Sequence, residues 1–282
     1  LDSVYAQSYQ SWEIIFWDNA STDGSGDNAR SCDSRLRYFK NEQATSLGEA
    51  RNLAMKQARG KYIAFLDCDD LWLENKLEKQ VYLLEKDAEV DFVYSNYFRQ
   101  RVPEYKKLVL TLRGKQAEGD VFGKFLINYP VGLLTVILRA EAIKKANAEF
   151  DGSLELSEEF DFFMRILFRS KVSYIDEPLA IYRIHPNMLS RKLPHRHPFE
   201  MQYTLHKLKQ LDASIQLNYP SEIKYYEAKL GYWYSKVEME KHNRKSARAE
   251  LAPFKFRALQ FFVLYILTYL PASVWRWFHR YK

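Results

Sequence analysis

From residue 13 to about residue 95 the chain alternates short apolar runs with amphipathic stretches. EIIFWD (13–18) is an apolar run that closes on an acid, a turn-rich NASTDGSGD follows, and LRYFK (36–40) is a second short run. Their length and the turn residues around them predict strands. SLGEARNLAMKQARG (46–60) has helix chemistry, with Ser46 as N-cap, Glu49 in capping-box position and Gly60 at the stop. KYIAFLD (61–67) predicts a buried strand, LENKLEKQVYLLEK (73–86) an amphipathic helix and DFVYSNYF (91–98) another strand. Strands alternating with helices predict an α/β architecture with a mostly parallel, doubly wound sheet flanked by helices.

Residues 96–135 are less regular and suit a crossover or loop region. TVILR (135–139) then predicts a strand, AEAIKKAN a helix, SEEFDFFMRILFRS (157–170) an amphipathic helix capped by Ser157, and VSYID (172–176) a closing strand. EPLAIYRIHPN reads as an extended, proline-marked connection. Beyond His197 the pattern is helical, over roughly 199–212, 219–242 and 244–252, and it ends in a strongly apolar stretch. No internal repeat is visible. The opening LDSVYAQSYQSWE reads as the back half of a helix followed by a turn, without the charged and apolar regions of a secretory leader.

Of the 282 residues 47% are apolar and 28% charged, which is ample for a core and excludes disordered and collagen-like classes. The net charge of +6 is unevenly spread: residues 1–184 carry 25 Lys and Arg against 29 Asp and Glu, whereas 185–282 carry 17 against 7. An acidic body joined to a basic end implies two different jobs. Cys32 and Cys68 cannot build a disulfide scaffold or a cysteine-rich zinc site, and each is expected to be a buried, inert thiol.

Ligands of an open parallel sheet bind outside the carboxyl ends of its strands. Asp18 closes one predicted strand and Asp67 another, the latter followed by Cys68, Asp69 and Asp70. Residues two apart on an extended segment face the same way, so Asp67 and Asp69 can share one site. Carboxylates without nearby His or Cys favour Mg²⁺ or Mn²⁺. The alternative is a polar turn in which Asp69 or Asp70 caps the next helix.

WEIIFWDNASTDGS, GEARNLAMKQARGKYIAFLDCDDLW, LSEEFDFFMRI and IDEPLAIYRIHPNMLS, in this order and spacing, resemble the inverting family 2 glycosyltransferases with the GT-A fold. The resemblance covers about residues 1–190. It implies a nucleotide-diphospho-sugar transferase domain with a Rossmann-like sheet over 1–190; the residue pattern beyond it predicts a helical extension over 191–254 and an amphipathic, membrane-associating C-terminal segment over 255–282. The family's first strand has no counterpart here, so the domain is expected to be N-terminally truncated.

Residue by residue, the resemblance implies that Asp18 hydrogen-bonds the donor's base, with Asn19 where a second Asp is usual. Arg51 matches a basic residue near the donor's base and diphosphate, the alternative being an exposed helix charge. Asp67 and Asp69 match the DxD pair, with Asp69 the direct metal ligand and Asp67 nearer the ribose and the metal shell. SEEFDFF matches a Glu-Asp-x-Asp segment whose central acid is the general base. That position is Glu159, a carboxylate on an arm one methylene longer, and Glu158 and Asp161 then shape the site or its acceptor contacts. First-turn acids are also favoured by the helix dipole alone. Arg183 and His185 match a loop beside the donor diphosphate, His185 completing the metal shell, unless they are an exposed loop pair.

The implied activity is transfer of a hexose from a UDP- or dTDP-sugar to a glycan or lipid-linked acceptor, in surface polysaccharide or lipopolysaccharide synthesis, with a Mg or Mn cation. Two other readings remain: a nucleotide-sugar-binding protein impaired in catalysis, motivated by Glu159, and a sugar-phosphate nucleotidyltransferase, which needs a Gly-rich phosphate loop that this sequence lacks.

From Lys255 the chain runs KFRALQFFVLYILTYLPASVWRWFHRYK without an acid. The apolar stretch is at or below the minimum for a spanning helix. Cations at both ends, beside Trp275, Trp277, Phe278 and Tyr281, suit a segment lying in the plane of an anionic membrane, broken near Pro271. A helix packed on the protein's own core is the alternative. The protein is therefore expected in the cytoplasm, peripheral at the inner face of the cell membrane, with no nucleic-acid partner, because the aromatics cluster with aliphatics and do not alternate with cations.

Overall fold

The computed structural model describes residues 1–102 and 107–279; Tyr281 lies outside them. The strands are β1 (Ile14–Asp18), β2 (Leu36–Lys40), β3 (Tyr62–Ala64), β4 (Leu71–Trp72), β5 (Val90–Arg101), β6 (Val109–Leu110), β7 (Ile137–Arg139) and β8 (Lys171–Ile184). β1 and β2 pair in parallel, from Ile14 opposite Leu36 to Asp18 opposite Lys40. The others form a second sheet in the order β3-β7-β5-β8-β4, with β6 on β5.

The helix-flanked α/β sheet is as expected, but the mostly parallel pairing is not. Among the described residues only β5 and β8 run parallel in the second sheet, and every other pair there is antiparallel. The physical reason is that a short apolar run reports burial and carries no strand direction. Parallel neighbours need a crossover, usually helical. β1 and β2 have one in the Ser25–Arg30 helix, whereas β4 follows an acidic turn and pairs back onto β8 at Ile181 and Ala180. The expected connection after residue 176 is likewise strand: β8 runs unbroken through Pro178. The ladder tolerates that proline because the register slips there, with Asn96 opposite Pro178 between two irregularities.

Ser46 caps the Leu47–Gln57 helix as expected, its hydroxyl accepting the Glu49 N–H at 3.3 Å. The Lys76–Lys86 helix lays Leu77, Val81 and Leu84 on the second sheet against Val93, Ile137 and Ala180. The Glu158–Leu167 helix buries Phe162, Phe163, Met164, Ile166 and Leu167, with Phe163 edge-on to Phe92 at 5.3 Å. Each such side chain contributes about 1.5–3 kcal/mol of burial, so the acids in that helix's first turn sit on a firmly anchored element.

The chain divides into two compact units, Leu1–Phe125 with Tyr129–Lys192, and Leu126–Asn128 with Leu193–Lys282. The second is helical, including His197–Leu211, Pro220–Glu240, Arg244–Leu251, Leu259–Leu267 and Ala272–His279. Its core is Ala228, Met239, Ala247, Leu251, Phe261, Leu264 and Trp275. Among the described residues no helix is long and apolar enough to cross a membrane.

Candidate functional site

Asp18 closes β1 and is buried. Its Oδ1 accepts the Ser21 N–H at 2.7 Å, its Oδ2 accepts the Tyr38 hydroxyl at 2.5 Å, and the Lys40 ammonium stands 3.7 Å away. Against the burial that would raise it, these donors hold the Asp18 carboxyl down at about 2. A carboxylate so fixed is a permanent acceptor with lone pairs to spare. Gly26 makes the arrangement possible, since a Cβ there would stand 2.6 Å from the Tyr38 hydroxyl and 3.0 Å from Asp18 Oδ2. Gly26→Ala is expected to cost about 1–3 kcal/mol, read as a lower urea midpoint; an unchanged midpoint would mean that Tyr38 yields freely. Asn19 fastens the next loop, donating to the Thr45 carbonyl and accepting the Thr45 N–H.

β3 leads into a turn that carries Asp67, Asp69 and Asp70, whose carboxylate oxygens lie within 4.8 Å of one another. The end of β8 holds this turn. The Arg183 N–H donates to Asp70 Oδ1 at 2.9 Å, the Arg183 guanidinium donates to the Asp69 carbonyl, and His185 Nε2 lies 2.8 Å from Asp69 Oδ2. Arg183 and His185 are thus tied to the acidic turn and are not an exposed loop pair. Burial and the charges of Asp69 and Asp67 push the Asp70 carboxyl up to about 7, in spite of the Arg183 N–H. Clustered hard oxygen donors that destabilise one another's charge fit a Mg²⁺ or Mn²⁺ ion. Cys68, expected to be buried, is exposed in this turn, because its flanking acids keep the turn at the surface.

Arg51 is no exposed helix charge: its side chain is 11% exposed. Its guanidinium donates to both oxygens of Asp67, at 2.9 and 3.2 Å, and to Glu158 Oε1 at 2.8 Å. Asn52, one residue on, exchanges two 2.8 Å hydrogen bonds with the backbone of Phe150. The Leu47–Gln57 helix therefore ties the acidic turn to the segment leading into Glu158–Leu167.

Glu159 lies beside this clamp. Burial and the Glu158 charge push its carboxyl up to about 8, opposed by Arg51 and by a hydrogen bond from the Leu133 N–H. Its negative charge is also felt at Tyr97, Tyr129 and Tyr182, whose hydroxyls it makes harder to ionise, after burial itself. Asp161 is placed elsewhere. It is fully buried and paired with Arg165 one turn on, at 2.8 Å, so it braces the helix and is not aimed with Glu158 and Glu159. The sequence reading missed Asp70 as a third member of the acid cluster, Asn52 as a backbone clamp and Leu133 as a donor.

The model of Glycosyl transferase family 2 matches residues 1–143, about half of the chain. Two Escherichia coli proteins, each named as a UDP-Glc:alpha-D-GlcNAc-diphosphoundecaprenol beta-1,3-glucosyltransferase, are similar. WfgD is 37% identical over 49% of this chain and 53% of its own, and WfaP 31% identical over 67% and 72%. The chain spans between a quarter and about half of the length of the first curated relatives it matches. The crystal structure of S. aureus TarS 1-349 superposes with a TM-score of 0.68 at 16% identity, over 100% of this chain and 86% of that one. TarS structures in complex with UDP and with UDP-GlcNAc superpose with TM-scores of 0.63 and 0.62.

Proposed function

This chain belongs to glycosyl transferase family 2 and has the GT-A fold, and on that premise we propose that it transfers a hexose, with inversion, from a nucleoside-diphosphate donor to an acceptor hydroxyl. One observation carries the reading. Arg51 ties Asp67 of the acidic turn to Glu158, next to the half-buried Glu159, which supports a reading in which the clustered carboxylates and a proton acceptor serve one site. The relatives' names and the TarS complexes support a UDP-sugar ahead of a dTDP-sugar, and a lipid-linked glycan acceptor. With such an acceptor the reaction belongs at the inner face of the cell membrane, in surface polysaccharide or lipopolysaccharide synthesis. Family membership leaves no place for the nucleotidyltransferase reading.

In the proposed reaction Asp18 accepts from the donor's base, and Arg183 faces the diphosphate. Asp69, Asp67 and Asp70, with His185, would hold the Mg²⁺ or Mn²⁺ ion, which when bound neutralises diphosphate charge. The acceptor oxygen bonds to the anomeric carbon as the bond to the diphosphate oxygen breaks, and Glu159 takes the acceptor's proton. No covalent enzyme intermediate forms. The test is the product: from a UDP-α-sugar, proton NMR should show a β-linkage, and an α-linked product would overturn the inverting mechanism. Asp69→Asn should weaken Mn²⁺-dependent UDP binding at least about tenfold, measured by calorimetry with and without EDTA; an unchanged metal requirement would remove Asp69 from the ion's shell.

A further inference from the structure

The apolar end of the chain was expected either to face lipid or to pack on the protein's own core. The structure gives the Leu259–Leu267 helix two different faces, one packed on the core of the C-terminal unit and one exposed. Phe261 and Leu264, with Thr268 beyond them, turn inward against Ala228, Ala247 and Leu251. Leu259, Phe262, Val263 and Ile266 recur at i, i+3, i+4 and i+7 and stand exposed on the opposite side. Phe256 extends this face, stacked on Phe262 with ring centroids 6.1 Å apart. Phe256 and Leu259 are 80% and 79% exposed, and Tyr269, Leu270 and Trp277 are exposed as well. Apolar exposure on this scale, centred on one helix and continued in the residues around it, is unusual for a soluble surface and marks an interaction site.

We propose that this face, within the C-terminal unit, is a docking surface for an anionic lipid bilayer. Charge complementarity selects the partner. No acid occurs from residue 251 onward, and cations surround the face. Arg276 is exposed, Lys255 stands over the rings of Phe256 and Tyr265 at 5.1 Å, and Arg248 stacks on Tyr269 at 3.7 Å. Lysine and arginine stems lying along aromatic rings keep their charge at headgroup level while the rings enter the interface. A protein partner would need a matching acidic rim, whereas an anionic leaflet supplies one everywhere. With no spanning helix among the described residues, this mode of binding is reversible and in the plane of the membrane. The inference stands on the C-terminal unit and does not depend on the glycosyl transfer reading.

The experiment sediments the full chain with phosphatidylcholine vesicles, with and without phosphatidylglycerol. Binding should require phosphatidylglycerol and weaken in high salt. Leu259→Gln/Phe262→Gln/Ile266→Gln changes only exposed positions, so its melting curve should match the parent while vesicle binding falls by at least about tenfold. Brominated lipid should quench tryptophan emission, and Trp277→Phe should abolish that part of the quenching. Lys255→Gln/Arg276→Gln should reduce the preference for the anionic vesicles. Indifference of the parent chain to vesicles, or equal binding by the triple variant, overturns the proposal. So does a concentration-dependent dimer in ultracentrifugation that the triple variant disperses, which would give the face to a second copy.

Discussion

Glu159→Gln is expected to lower kcat by about 10²–10⁴-fold while leaving UDP binding close to that of the parent. The amide matches the carboxylate in shape and retains an acceptor for the Leu133 N–H, but it takes no proton. The pH profile is the second readout. Burial and the Glu158 charge push this carboxyl up to about 8, so the base is largely protonated at neutral pH. kcat/KM of the parent should therefore rise through a limb centred at or below that value, since a bound cation draws it down. The linkage has a fixed sign. A carboxyl whose folded pKa lies above its unfolded value favours the fold when protonated, so its contribution to stability is full below the carboxylate range and lost as pH rises towards 8. Glu159→Gln should then melt higher than the parent at pH 8, with the gap closing near pH 4, a stability gain at the expense of activity. Near-normal turnover in the variant, or a parent profile flat between these limits, would take Glu159 out of the base role. Absence of turnover in the parent itself, with intact UDP binding, would restore the impaired-binder reading.

Much of the site was legible because acids terminate apolar runs: Asp18 and Asp67 interrupt patterns that otherwise specify burial, and an interruption at a strand end is chemically informative. Strand direction was not legible, because EIIFWD and TVILR look alike whichever way they pair. Nor was the clamp. Arg51 and Glu158 are 107 residues apart, and Asn52 and Phe150 are 98 apart, so no periodicity links them. Asp161 errs the other way. The motif drew it towards the site, yet its spacing of four from Arg165 already offered an intrahelical pair. At the C-terminus both sides of one helix are apolar, so periodicity left open which of them packs, and only the fold separates Phe261 and Leu264 from Phe262 and Ile266.

Arg51→Met should cost about 3–5 kcal/mol of stability. The two acids it holds are not equivalent. Asp67 is 43% exposed and can turn to water, whereas the Glu158 side chain is 8% exposed and its Oε2 has no hydrogen-bond partner among the described residues. Without the guanidinium a buried carboxylate is left unpaired. Its response is to hold its proton, since burial already raises the Glu158 pKa and Arg51 is the main group opposing that rise. The deficit of the variant should accordingly be smallest in mild acid and grow as pH rises through the further-raised pKa. Glu158→Met added to Arg51→Met removes the stranded charge, and a well-packed apolar pair should recover most of the urea midpoint. Transfer should not recover, because Asp67 has lost the fork that aims it at the acidic turn's shared site. A double variant that recovers both stability and turnover would make the clamp a matter of packing alone. One no more stable than Arg51→Met would show that the cost never lay in the unpaired Glu158.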